Sequence, residues 1–142
     1  MKFTYGDKLG LPVSDELKQL LQQELDKHLA LENVKSITFN YRSSDYSPDN
    51  GGYHPVEIRL EKRSDKWYFA YLTDFTYVGP YPELEKELDF DVTHGVLLMS
   101  FVGEIPLTHP EAQSLFMTYQ GNFINYVRMG VFDDIQLTLD EG

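Results

Sequence analysis

Two stretches of this chain alternate strictly between apolar and polar side chains, and this alternation limits what the chain can fold into. Residues 36–41 and 56–61 each show a period of two, which is typical of a strand with one buried face. The apolar positions are Ile37, Phe39, Tyr41, Val56, Ile58 and Leu60. The polar positions between them are Ser36, Thr38, Asn40, Glu57, Arg59 and Glu61. We therefore expect neighbouring strands of a sheet that is covered on one side.

Four further segments are predicted to be strands. In "KWYFAYLTDFTY" (66–77), Trp67, Phe69 and Tyr71 are expected to face one way and Tyr68, Ala70 and Leu72 the other. Both faces are apolar, so this strand is expected to be central and covered on both sides. The run "VLLMSFV" (96–102) predicts a second central strand, while "ELDFDV" (87–92) and "IQLTL" (135–139) predict two more. The short turns between successive strands favour antiparallel pairing.

Two segments have the spacing of amphipathic helices. Ser14 is a candidate N-cap for the first, which is expected to end near Asn33. Its apolar stripe comprises Leu17, Leu20, Leu21, Leu25 and Leu29. The second helix is predicted from a capping box of Thr108 and Glu111 to Gly130. Its stripe comprises Leu115, Tyr119, Phe123, Tyr126 and Val127.

The order of these elements predicts the fold class. We expect a single α+β domain over residues 1–142, with a twisted antiparallel sheet of about five to seven strands. An N-terminal helix and a helix in the C-terminal half are expected to flank the sheet.

Charge and cysteine content narrow the function. The chain has 12 Lys and Arg against 23 Asp and Glu, a formal net charge of −11, and no cysteine. Disulfides, thiolate nucleophiles and zinc sites with cysteine ligands are therefore excluded. The negative charge disfavours direct contact with nucleic acid or anionic membranes and favours a basic protein as partner. No signal peptide or membrane span is recognisable, so we expect a cytoplasmic protein.

Several phrases resemble a known bacterial family. "GGYHPVEIRLE" (51–61) and "TDFTYVG" (73–79) are fairly specific to it, and the similarity runs through residues 37–95 and beyond. That family is found in vibrios and their relatives, often on mobile genetic islands, and is described only as a domain of unknown function. Its fold is similar to that of the acidic mitochondrial matrix protein that binds a complement component. The resemblance implies a small bacterial protein with a twisted antiparallel sheet, without an assigned activity or cofactor.

Residues that could bind a metal occur in two places. The loop 43–55 and the strand after it contain Asp49, His54 and Glu57, and a second group comprises Asp89, Asp91 and His94. Oxygen and imidazole ligands can hold a divalent ion, but neither spacing matches a known ligand motif. Turn formation in the loop, and an ordinary solvated strand face for the second group, are the simpler interpretations, so no metal and no cofactor are predicted.

Asp74, within an aromatic strand, needs hydrogen-bond partners if it is buried, and a bond to a neighbouring turn is the simplest source.

Tyrosines in loops are the best candidates for contact with a partner. Tyr46, Tyr53 and Tyr81 lie between predicted strands, where a role in the core is harder to argue.

No catalytic constellation is recognisable, and the leading hypothesis is a non-enzymatic interaction or assembly module that self-associates and docks a basic protein. The alternative is a metal-dependent enzyme or ligand-binding domain that uses the residues above. A third hypothesis, an acidic mimic of DNA, requires paired rows of carboxylates on one face.

Overall fold

A computed structural model describes residues 1–28, 33–47, 52–77 and 84–141 of the chain. This part of the chain forms two helices and seven strands. In chain order they are α1 (Asp15–Leu25), β1 (Ser36–Arg42), β2 (Val56–Arg63), β3 (Lys66–Tyr77), β4 (Leu84–Asp91), β5 (Val96–Met99), β6 (Gly103–Pro106), α2 (Pro110–Arg128) and β7 (Asp134–Asp140). The predicted α+β class, the number of strands and the positions of the two helices are confirmed. Neither helix is long and apolar enough to cross a membrane.

All seven strands belong to one antiparallel sheet. Their order across the sheet is β6-β5-β4-β3-β2-β1-β7. Strands β1 to β6 follow one another as a meander, and α2 then carries the chain back to place β7 beside β1. Strand β3 is the fourth of the seven, which confirms its predicted central position.

The core lies on one face of the sheet only. It forms a single cluster that includes the buried leucines of α1, the apolar face of β1 and β2, and Phe116 and Phe123 of α2. The opposite face carries half-buried polar side chains such as Glu57 and Arg59. The expectation that β3 is covered on both sides is therefore wrong.

A β-bulge explains why the predicted faces of β3 are also wrong. The register shifts between Arg59 and Leu60, which pair with Tyr71 and Phe69 and leave Ala70 as an extra residue. After the bulge, each side chain of β3 points to the face opposite to the one that strict alternation predicts. Leu72 consequently faces the core, while Tyr71 lies on the polar face and donates a hydrogen bond to Glu57.

The apolar run 96–102 is not a second central strand. Strand β5 ends at Met99, lies next to the terminal strand β6, and is followed by a turn. Phe101 in this turn has a φ of 65° and is 94% exposed, and Val102 is 78% exposed. Three of the seven residues in this run, Leu98, Phe101 and Val102, are thus exposed to solvent.

The helix boundaries differ from the expectations at two ends. Ser14 caps α1 as predicted, because its Oγ accepts a hydrogen bond from the Leu17 amide. The helix already ends at Leu25, and Leu29 of the predicted stripe lies outside the described residues. The N-cap of α2 is His109, whose Nδ1 accepts from the Glu111 amide at 3.0 Å, so the predicted capping box at Thr108 is wrong. Pro110 explains the shift, since proline restricts the preceding residue to the extended conformation that an N-cap adopts.

Tyr41 provides a test of the core. Its ring is 1% exposed and packs edge-on against Phe123, yet its hydroxyl has no hydrogen-bond partner among the described residues. A buried hydroxyl without a partner destabilises the folded state. We expect Tyr41→Phe to raise the free energy of unfolding by about 1 kcal/mol, measured by urea denaturation. Tyr41→Ala, which removes the ring as well, should lower it by roughly 3–5 kcal/mol. A clear loss of stability in Tyr41→Phe would contradict this reading of the core.

Candidate functional site

A cavity of about 560 Å³ opens between helix α2, strands β3 and β4, the turn after β5 and the segment before β2. Its size lies in the range of small-molecule binding pockets. Most of its wall is apolar, with contributions from Val56, Phe123, Tyr126 and Phe132. Four of its polar side chains lie close together, and we call this group the floor of the cavity. The floor consists of His54, Asp74, Glu87 and Tyr119.

His54 joins two carboxylates at the floor. Its Nδ1 lies 2.8 Å from Oδ1 of Asp74 and 2.7 Å from Oε2 of Glu87. One imidazole nitrogen thus contacts two acidic groups. Two carboxylates at one position favour a positive charge there, which either a protonated imidazole or a bound cation can provide. The side chains of His54 and Glu87 remain 32% and 43% exposed, whereas that of Asp74 is 12% exposed.

Asp74 is the buried centre of the floor. Its second oxygen, Oδ2, accepts a hydrogen bond of 2.7 Å from the hydroxyl of Tyr119 on helix α2. A buried carboxylate requires such partners. The expectation that Asp74 is bonded to a neighbouring turn is confirmed, because His54 lies in the loop that precedes β2.

A proline explains how His54 reaches the floor, and an irregularity in strand pairing explains how Glu87 does. Pro55 disfavours a helical conformation at His54 and directs the chain into β2. Glu87 lies at a second irregularity, where β3 and β4 shift register between Asp74 and Phe75. Bulges of this kind change the direction of a side chain and are frequent next to functional sites.

The floor changes the proton affinity of two side chains. The hydrogen bond to Asp74, assisted by the charges of Asp74 and Glu87, raises the pKa of His54 above its ordinary value of 6.5, although burial opposes this effect. Burial and the neighbouring charge of Asp74 raise the pKa of Tyr119 well above 10.0. Tyr119 is therefore a neutral hydrogen-bond donor over the physiological pH range.

The structure separates the first group of predicted metal ligands. Asp49 lies outside the described residues. Glu57 lies on the opposite face of the sheet from the cavity, where it accepts a hydrogen bond from Tyr71. His54 is thus grouped with Asp74 and Glu87, which follow it by 20 and 33 positions.

The second group of predicted metal ligands, Asp89, Asp91 and His94, also does not converge on one position. Asp89 is 5% exposed and is bonded to Thr73 Oγ1 at 2.8 Å, so the expectation of a solvated face is wrong for this residue. Asp91 instead pairs with exposed His94, with 2.7 Å between Oδ2 and Nδ1. This pair closes the turn between β4 and β5, since the His94 amide also donates to Asp91.

The predicted contact tyrosines have different surroundings. The ring of Tyr46 packs against His54 and Tyr77, and its hydroxyl accepts a hydrogen bond from the Tyr77 amide. Tyr53 is 38% exposed at the mouth of the cavity and contacts the edge of Tyr126. Tyr81 lies outside the described residues. Of the described pair, Tyr53 is therefore better placed for contact with a partner.

Sequence reasoning missed Glu87 and Tyr119. Glu87 is one of several acidic residues in "ELEKELDFD" and carries no local signal. The helical spacing predicts Tyr119 on the apolar stripe of α2, but the deepest positions of that helix are Ala112, Phe116, Gln120, Phe123 and Ile124. The two tyrosines beside this line, Tyr119 and Tyr126, border the cavity. The one sequence signal for Tyr119 is its hydroxyl, since a polar atom on an otherwise apolar helix stripe indicates a nearby hydrogen-bond partner.

Comparison with known proteins gives a family and two similar structures. Residues 15–138 match the family described as "Protein of unknown function (DUF2787)". The hypothetical protein VC0508 from the VSP-II pathogenicity island of Vibrio cholerae is 36% identical, with a TM-score of 0.90, over 98% of this chain and 100% of its own. VC1805 from pathogenicity island VPI-2 of the same organism is 40% identical, with a TM-score of 0.81, over 92% of this chain and 97% of its own.

The second of these structures extends the comparison to a human protein. VC1805 is described as sharing structural homology with human P32. The resemblance inferred from the sequence is thus confirmed. No curated protein matches the chain.

The contacts of His54 predict a pH-dependent contribution to stability. Because the folded-state pKa is raised above 6.5, this contribution is complete below pH 6.5 and is lost as the pH rises through the folded-state value. We expect His54→Asn to lower the free energy of unfolding most at pH 6 and much less at pH 9, measured by urea denaturation. His94→Asn, which removes an exposed imidazole, serves as the control. An equal loss in His54→Asn at both pH values would contradict the prediction.

Proposed function

Because this chain belongs to the DUF2787 family, whose description names no activity, we propose a function from its own cavity: it is an interaction module that holds a basic side chain of a partner protein. The observation that carries the proposal is the convergence of Asp74 and Glu87 at the floor of a cavity with apolar walls. Lysine and arginine have the matching form, an aliphatic stem that ends in a cation.

The charge of the floor favours a cation. With Asp74 and Glu87 ionised, the floor keeps one net negative charge even when His54 is protonated. The formal charge of −11 on the whole chain adds a long-range attraction for basic partners. Such attraction speeds the encounter of two proteins, and the local carboxylates then determine which group enters.

The walls of the cavity suit the rest of a basic side chain. Tyr53 and Tyr126 present aromatic surface, against which an arginine or lysine can pack. A cation over an aromatic ring gains roughly 0.5–1 kcal/mol at exposed sites and more where water is excluded. Burial of the aliphatic stem against Val56 and Phe123 would add the hydrophobic contribution.

The mouth of the cavity adds apolar surface of the kind found at interfaces. Val102 borders the cavity, and the neighbouring Phe101 is almost fully exposed. Together Phe101 and Val102 form an exposed apolar patch beside the cavity, and patches of this kind can mark protein interaction sites. Aromatic residues of this kind often dominate the binding energy of protein interfaces.

We expect an acetylated, amidated arginine peptide to bind the cavity, and a norleucine peptide of the same length not to bind. The measurement is the shift of backbone amide NMR signals around residues 52–56, 74, 87 and 119 at 0.15 M salt. An affinity near 1 mM corresponds to about −4 kcal/mol, a reasonable value for a single side chain. Glu87→Gln should weaken binding about tenfold, since one charged partner is lost.

Glu85→Gln is the matched control for this experiment. It makes the same change of charge on the same strand, at an exposed position outside the cavity. The proposal fails if norleucine binds as well as arginine, or if the two glutamate variants weaken binding equally.

Self-association stays a prediction. The terminal strands β6 and β7 each pair with a single neighbour within the described sheet, and such edges are natural places for two copies to meet. Size-exclusion chromatography with light scattering tests this expectation. A dimer or larger assembly that dissociates in Phe101→Ser would place the contact near β6, and a strict monomer at high concentration would refute it.

The DNA-mimic hypothesis gains little from the polar face of the sheet. Among the described residues of that face, Glu57 accepts from Tyr71, Glu61 pairs with Arg59, and Asp89 is bonded to Thr73. Each of these carboxylates is bonded to a neighbouring side chain, whereas the hypothesis requires paired rows of carboxylates on one face.

A further inference from the structure

We propose that His54, Asp74 and Glu87 form a binding site for one first-row divalent metal ion, such as Zn²⁺, and that the ion competes with the basic side chain for the floor of the cavity. Binding of the ion stands on these three side chains alone. Only the competition rests on the function proposed above.

The donor atoms are already close together. One ligand atom from each side chain lies within 4.8 Å of the others, and the Nδ1 of His54 contacts both carboxylates. Bonds of about 2.1 Å to a tetrahedral ion separate neighbouring donors by roughly 3.4 Å. The observed separations of 2.7 and 2.8 Å must therefore increase by about 0.6 Å. Because His54 and Glu87 are partly exposed, small side-chain rotations can provide this change.

Three different segments hold the donors, and neighbours orient two of them. His54 precedes β2, Asp74 belongs to β3 and Glu87 to β4. Tyr119 binds Oδ2 of Asp74 and leaves Oδ1 directed at the centre of the group. The ring of Tyr46 lies 5.2 Å from that of His54. Hydrogen bonds such as that from Tyr119 orient the ligands of metal sites and contribute to their affinity.

The composition of the donor set selects the class of ion. Imidazole favours zinc and its transition-metal neighbours, whereas magnesium and calcium prefer sites made of oxygen atoms alone. Three protein ligands next to an open cavity leave a fourth position for water or a ligand atom. We therefore expect Zn²⁺ and Co²⁺ to bind, and Mg²⁺ and Ca²⁺ to bind far more weakly.

The ion and the basic side chain require the same carboxylate oxygens. Once an ion occupies Asp74 Oδ1 and Glu87 Oε2, the floor no longer carries a net negative charge. The two carboxylates, the divalent ion and a neutral imidazole then sum to zero charge, so an arginine or lysine finds its acceptor oxygens already occupied. Metal availability would thus decide whether the cavity accepts a basic partner.

The direct test is isothermal titration of the untagged, chelator-treated chain with ZnCl₂. We expect one ion per chain, and a loss of affinity of at least tenfold in His54→Gln and in Glu87→Gln. His94→Asn is the matched control, because His94 and Asp91 form an exposed pair with a single carboxylate. Circular dichroism and thermal unfolding check that each variant is folded.

A second measurement locates the ion if a variant fails to fold. Paramagnetic Co²⁺, added to the wild-type chain, should shift or broaden amide NMR signals near residues 54, 74 and 87 more than those near 91–94. The inference is overturned if Zn²⁺ does not bind, if His94→Asn loses binding and His54→Gln keeps it, or if Co²⁺ acts first on residues 91–94.

Competition separates this inference from the proposed function. Saturating Zn²⁺ should abolish the NMR shifts caused by the arginine peptide. If Zn²⁺ binds at His54 but the peptide never binds, the ion site stands and the proposed function fails. If the peptide binds and Zn²⁺ does not, the proposed function stands and the ion site is refuted. If both bind at the same time, the competition is refuted.

Discussion

A carboxylate buried beneath a helix organises the end of this protein that contains the cavity. Asp74 lies on the central strand of the sheet and is 8% exposed as a residue, so it depends on hydrogen bonds from its surroundings. It receives them from two other segments, His54 before β2 and Tyr119 on α2. The hydrogen bonds to this one buried carboxylate thus connect a loop, a strand and a helix. The cavity is the space left between these three segments.

The sheet makes this arrangement possible because only one of its faces is covered. Both helices contribute to a single core on that face, and α2 crosses strands β3 and β4 with Phe116 packed against Phe90. The two shifts in register lie on either side of β3. The first directs Leu72 into the core, and the second directs Glu87 toward His54. Irregular pairing, and not the regular ladder, therefore determines the chemistry of the cavity.

The two cations considered for the cavity follow from the same donor atoms. A guanidinium or ammonium group uses the carboxylates as hydrogen-bond acceptors, while a metal ion uses them, with the imidazole, as ligands. In either case His54 determines how much negative charge the floor presents. The acidic surface of the chain attracts any cation, so selectivity must come from the spacing of the donors and from the aromatic walls.

The fold was largely predictable from the sequence because its signals are local. Alternation in β1 and β2, the Ser14 cap and the leucine stripe of α1 depend on neighbours within a few positions. Predictions failed where a local pattern was changed by pairing or by a proline, as in the faces of β3, the split apolar run at Phe101 and the cap of α2.

The site depended on tertiary structure to a greater extent. His54 and Asp74 were recognisable as unusual, but their grouping with Glu87 and Tyr119 depends on a bulge and on the rotation of α2. The sequence by itself determined an acidic α+β domain with a central aromatic strand, since composition and periodicity are properties of the chain. Only the tertiary structure decided which charged side chains share a cavity, because contacts between residues 20 to 45 positions apart are set by strand register and helix packing.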